Sequence, residues 1–174
     1  KNAREDAMLH GHPWVFSGGI GSVKGNPGPG DIVVARVAAG HPLDLGFFNP
    51  STDIAFRVLT RRCDENISPY FWQSRLHDAY NLRQRLINEQ TNAYRLINAE
   101  GDGFPGLIVD VYNTTLVFSI AVAGMEKQKN HLLNALIAQR KPTRIYEQSD
   151  SHSRKLEGLE NRSGIAFGED ENST

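Results

Sequence analysis

Residues 94–110 read YRLINAEGDGFPGLIVD: an apolar strand, an acidic corner of glycine and proline, and a second apolar strand. No other stretch of the chain is as hard to explain as generic sequence. The corner holds Glu100 and Asp102, and Asp110 closes the second strand. Carboxylates gathered in this way suit acid–base chemistry or a hard cation. They equally suit a tight turn in which glycine supplies the backbone freedom and Asp102 caps its own main chain. The turn is the favoured reading.

Outward from this corner the pattern is mixed α and β. Upstream, Trp72, Leu76, Ala79, Leu82 and Leu86 recur at spacings of three and four, which predicts a helix over 69–88. Ser68 and Pro69 supply its start. Strand 93–99 leads into the corner. Downstream, LIVDVY (107–112) and TLVFSIAV (115–122) form a hairpin across Asn113–Thr114. A helix over 125–138, a strand RIYEQSD (144–150), a polar segment SRKLEGLENRSG and a last strand fragment IAFGE follow.

Before residue 66 the texture changes. HPWVFSGGI opens with Pro13, which suits the first turn of a short helix. GNPGPGD (25–31) excludes helix. Segments 31–38, 43–49 and 53–60 read as three short strands at about ten-residue spacing, the mark of a small barrel.

The chain has 174 residues, 39% apolar and 22% charged, with a formal net charge of −1. That balance argues against strong nonspecific nucleic-acid binding. Charge is nonetheless uneven: IAFRVLTRR (54–62) carries Arg57, Arg61 and Arg62 and no acid. On a strand 57 and 61 share a face, and guanidinium groups so placed suit phosphate. Arg154 and Lys155 form a second basic pair, suited to RNA or to docking another domain. No apolar run reaches the ~20 residues of a membrane span, and KNAREDAMLHGH has no signal-peptide core. The single cysteine, Cys63, precludes an intrachain disulfide and suits a reducing cytoplasm.

Other motifs carry less. Gly19-Ile-Gly21-Ser-Val-Lys-Gly25 superficially matches a nucleotide loop, but NPGPGD cannot start the helix such a loop needs. Cys63 lies beside Arg62 without an evident base, which favours an inert thiol over a nucleophile. The six histidines are scattered, and no zinc-like spacing occurs.

Together these segments resemble a known family. HPWVFSGGI, GDIVVARV and LGFFNPSTDIAFRVL look like the PUA domain of class I S-adenosylmethionine-dependent 23S rRNA (cytosine-C5) methyltransferases of the large-subunit methyltransferase I type. YRLINAEGDGFPGLIVDVY and IYEQSDSHSRKLEGLE resemble that family's central domain. The resemblance implies binding of structured, ribosomal RNA. In the family a Rossmann-like domain follows, with the cofactor and a catalytic cysteine, and no counterpart of it is read in this chain.

The expectation is therefore a mixed β and α+β fold: a PUA-like barrel over 1–66, an α+β central domain over 67–168 and a tail over 169–174. No Rossmann methyltransferase domain is expected. The expected function is the RNA-recognition portion of a cytoplasmic rRNA methyltransferase, itself inactive. S-adenosylmethionine is expected for the full-length parent but no cofactor for this chain. Arg57, Arg61 and Arg62 are the expected RNA contacts. No catalytic or metal residues and no membrane partner are expected, and the partners are RNA and a missing C-terminal methyltransferase domain. The alternatives are a free-standing PUA-type RNA-binding or ribosome-associated module, and a small hydrolase built on Glu100, Asp102 and Asp110.

Overall fold

The strands form two separate sheets. The computed structural model describes residues 8–88 and 90–169. The opening KNAREDA, Glu89 and residues 170–174, nearly all of the expected tail, lie outside the described residues.

The first sheet contains β1 (Trp14–Phe16), β2 (Asp31–Arg36), β3 (Pro42–Phe48) and β4 (Ile54–Thr60), in the order β1-β4-β3-β2 and antiparallel throughout. Two expectations are corrected here. The sheet is open, because β1 and β2 lie at opposite edges and do not pair. Pro13 opens a strand and not a helix: Trp14 pairs with Arg57, and the Pro13 carbonyl accepts the Val58 N–H. A partner some forty residues away in sequence overrides the local helix signal.

The second sheet contains β5 (Ala93–Asn98), β6 (Leu107–Tyr112), β7 (Thr115–Ile120), β8 (Arg144–Ser149) and β9 (Arg162–Phe167), in sequence order. β5, β6 and β7 form an antiparallel meander. Asn113 takes a left-handed φ of 56° in the hairpin turn, a conformation asparagine tolerates better than most residues. The chain then crosses over through α2 (Ala123–Lys127) and α3 (Lys129–Arg140), so that β8 runs parallel to β7. The expected single helix over 125–138 is thus broken. The break falls at Gln128, whose side-chain oxygen accepts the Trp72 indole N–H. The segment read as merely polar contains α4 (His152–Leu156), and β9 then pairs antiparallel with β8.

α1 (Pro69–Gln84) lies beside α3 and buries Phe71, Trp72, Leu76 and Ala79. Its start at Pro69 is as expected, but it stops at Gln84, short of residue 88. Trp72 is fully buried beside Phe71 and Phe104, so the proline-bearing corner is packed onto the helix. One apolar cluster joins Phe47 and Leu59 of the first sheet to Trp72, Leu96, Val109, Phe118 and Ile145 of the second layer. Burial of that shared surface is what holds the sheets together.

Candidate functional site

The sequence singles out three carboxylates, two basic groups and one cysteine, and the structure gives each a definite setting. All three carboxylates around the glycine corner are matched with arginine. Asp102 takes both arms of Arg83 and the backbone N–H of Asn98. Asp110 faces Arg95, with Nε to Oδ1 at 2.9 Å. Glu100 accepts the Trp14 indole N–H at 2.8 Å and faces Arg57 at 3.3 Å. Carboxylates so engaged hold a turn and do not form an acid–base pair. Among the described residues no three His, Cys, Asp or Glu side chains gather as a metal site.

The basic residues divide in two. Arg57 points inward from β4. Its guanidinium is 3.3 Å from both Glu100 and Glu157 and lies over the Trp14 ring, 5.5 Å from its centroid. Arg154 is 1% exposed and is bound by the Ile120 and Glu160 carbonyls and by Glu126. Both were expected to reach RNA or a docking partner; both instead pair with acceptors inside the protein, as a charge withdrawn from water must. Lys155, beside Arg154, stays exposed.

Arg61 and Arg62 lie at the exit of β4. Arg61 is half-exposed, pairs with Asp44 at 2.7 Å and donates to the Gly11 carbonyl. Arg62 is 72% exposed, with only a distant pair to Glu65 at 3.8 Å. Sequence reasoning missed Arg36. It is exposed at the end of β2, and the antiparallel register sets that end beside the start of β3 and the exit of β4. The clue was there, because the strand DIVVAR ends in arginine, but only pairing shows which strand ends coincide.

Asp44 sits beneath this cluster, fully buried, with Oδ1 unpartnered. Burial pushes its carboxyl up, against the pull of Arg61. Cys63 is partly buried, and burial first, then the Asp44 carboxylate, pushes its thiol up, with Arg36 opposing. A thiol held protonated is a poor nucleophile.

The two sheets meet over a polar junction. Glu157, after α4, accepts from Asn49 Nδ2 at 2.8 Å, from Arg57 at 3.3 Å and from the Ala123 N–H at 3.3 Å. Beside it lies a cavity of about 230 Å³, lined by Pro29, Asn49, Ala123, Lys127, Glu157 and Leu159 among others. It falls short of the ~300 Å³ at which small-molecule sites begin.

Comparison with known proteins places these features. Residues 1–61 match the family model of a PUA-like domain. The chain is 40% identical over 167 residues to the ribosomal RNA large subunit methyltransferase I of Tolumonas auensis. It is 41% identical to that of Aeromonas hydrophila, and each alignment covers 95% of this chain and 42% of the relative. The chain thus spans about two-fifths of the length of those relatives. Among solved structures, a protein assigned as a SAM-dependent methyltransferase from Streptococcus mutans superposes with a TM-score of 0.79 at 16% identity, over 98% of this chain and 42% of its own. A second, assigned as a methyltransferase and solved with SAH, does so with a TM-score of 0.79 over 97% of this chain and 41% of its own.

These matches correct the expected fold class. A mixed β and α+β fold with no methyltransferase fold was expected. Nearly the whole chain, its five-stranded mixed sheet included, instead superposes on methyltransferase chains. The expectation of no cofactor in this chain gains no support from relatives of which one holds SAH. The geometry shows something narrower. Residues 19–25 start at the last residue of a 3-10 turn and lead to β2 with no α-helix between them, so they do not fit a donor-binding loop. Among the described residues the only parallel strand pair is β7–β8, and the helix start on its crossover is already occupied by the Glu157 carboxylate. Neither place fits the donor. Over 95% of its length this chain is thus similar to ribosomal RNA large subunit methyltransferase I proteins, and its first 61 residues match a PUA-like domain.

Proposed function

We propose that this chain recognises ribosomal RNA for an S-adenosylmethionine-dependent cytosine-C5 methyltransferase. The observation that carries the reading is the 40% identity over 95% of the chain to relatives named as large-subunit rRNA methyltransferases. The PUA-like match over residues 1–61 supports the RNA-facing role of the first sheet. In this proposal residues 1–66 meet RNA, and residues 67–168 carry the central sheet. The contacts are Arg61 and Arg62, joined by Arg36, at one end of the first sheet; guanidinium groups there can grip phosphate oxygens in pairs. Lys155 offers a second, weaker contact. No helix of the described residues is long and apolar enough to cross a membrane. The proposed setting is the cytoplasm, where Cys63 stays reduced.

The test is removal of the encoding gene, followed by bisulfite sequencing of 23S rRNA. One cytosine protected in the parent strain should become convertible, and a plasmid copy of the gene should restore protection. An unchanged pattern of protected cytosines would overturn the reading.

A further inference from the structure

The polar junction is built so that each sheet holds what the other lacks. The first sheet contributes donors: the Arg57 guanidinium, the Asn49 amide and the Trp14 indole N–H. The second layer contributes the acceptors at the centre, the carboxylates of Glu100 and Glu157, and the Ala123 N–H beside them. Glu157 is 6% exposed and Asn49 is 4% exposed. With the junction closed, loss of one partner would leave the other buried and unmatched, and such groups are costly.

Close backbone packing reinforces the polar match. A Cβ at Gly30, where φ is +81°, would stand 2.7 Å from the Ala123 carbonyl. A Cβ at Gly124 would enter the Phe47 ring. At the rim Lys127 meets Asp31 at 2.7 Å. Hydrophobic contact alone is non-directional, whereas hydrogen bonds and ion pairs demand matched positions of donor and acceptor.

We infer that Arg57, Glu100 and Glu157 are positioning residues that fix the first sheet in a single orientation on the second, so that RNA gripped at the β4 exit is presented in one pose. The functional half of this inference rests on the RNA-binding reading. The structural half does not.

The experiment measures residual dipolar couplings on the 15N-labelled, weakly aligned chain without RNA. In wild type, amides of β1–β4 and of β5–β9 should fit one alignment tensor. In Glu157→Gln and in Arg57→Gln the two sets should need different tensors, while shifts within each sheet stay native. Glu157→Asp, which keeps the charge, should return the values toward a single tensor. A purely local role for Glu157, as a cap on α2, would move shifts near Ala123 and leave one tensor; that result in both glutamine variants overturns the inference. Where Glu157→Gln fails to fold, Asn49→Ala removes one donor, keeps every charge and is read in the same way. Titrating wild type with an rRNA fragment examines the RNA reading separately.

Discussion

Arg83 and Asp102 meet as a two-pronged pair, with Nη1 to Oδ1 at 2.7 Å and Nη2 to Oδ2 at 2.5 Å, both side chains nearly buried. The pair ties the glycine corner to α1. Arg75, stacked on Phe71, adds a bond to the Gly103 carbonyl. Removing one partner of such a pair leaves the other buried and unmatched, at a cost of about 3–5 kcal/mol. Arg83→Ala should destabilise on that scale. Arg83→Lys should recover only part of the loss, because an ammonium cannot form the fork. Denaturant titration of both variants checks this. Equal stability of Arg83→Lys and wild type would show that charge alone suffices.

Gly124→Ala should destabilise by about 1–3 kcal/mol, the usual range for overpacking, because the added methyl meets the Phe47 ring. Gly21→Ala, with no atom near the added Cβ, serves as the control and should change little. Thermal unfolding of the two variants side by side makes the comparison.

Asp44 makes stability depend on pH in an unusual direction. Its folded pKa lies above its ordinary value because burial outweighs the pull of Arg61. Between those two values the folded chain binds more protons than the unfolded one, so stability falls as pH rises through that window. Wild type and Asp44→Asn should therefore be most alike at acid pH, below the ordinary carboxylate range. Wild type should lose ground to the variant as pH rises toward neutral. A gap in melting temperature that does not change with pH would contradict the assignment.

The Arg36→Ala, Arg62→Ala double variant should bind an rRNA fragment more weakly. If both side chains touch phosphate, its log–log salt slope should be shallower by about 1.4–1.8. Lys155→Ala is the companion measurement. A slope that changes only there would move the RNA face to the α4 side of the molecule.

Cys63 should react with iodoacetamide more slowly than a free cysteine near neutral pH, and faster as pH rises, because burial and Asp44 hold the thiol protonated. A mass-spectrometric time course across pH reads this directly.

What was legible in the sequence was local. In β6 and β7 every second side chain is buried, and that period is visible in LIVDVY and TLVFSI. Pro69 marks the start of α1. Illegible were elements whose reason lies far along the chain. β1 is a strand because of β4. α4 spans five residues, too few for a period, and its buried member is the arginine at 154. Arg57 looks like a surface cation until its partners Glu100 and Glu157, 43 and 100 residues away, are in place. Sequence pattern separates apolar from polar but does not tell an exposed charge from a buried, satisfied one.

The two tryptophans occupy unlike settings. Trp72 has no exposed surface and is flanked by Phe71 and Phe104. Trp14 is half-buried, its indole N–H held by Glu100 and its ring beneath Arg57. The chain has no others, so its intrinsic fluorescence is a two-channel signal. Opening the junction exposes Trp14 to water and shifts its emission to the red, while Trp72 keeps the blue emission of an apolar interior until the whole chain unfolds. In Trp14→Phe the first change disappears and the second remains. The molecule thus carries its own optical gauge of how firmly its two sheets are joined.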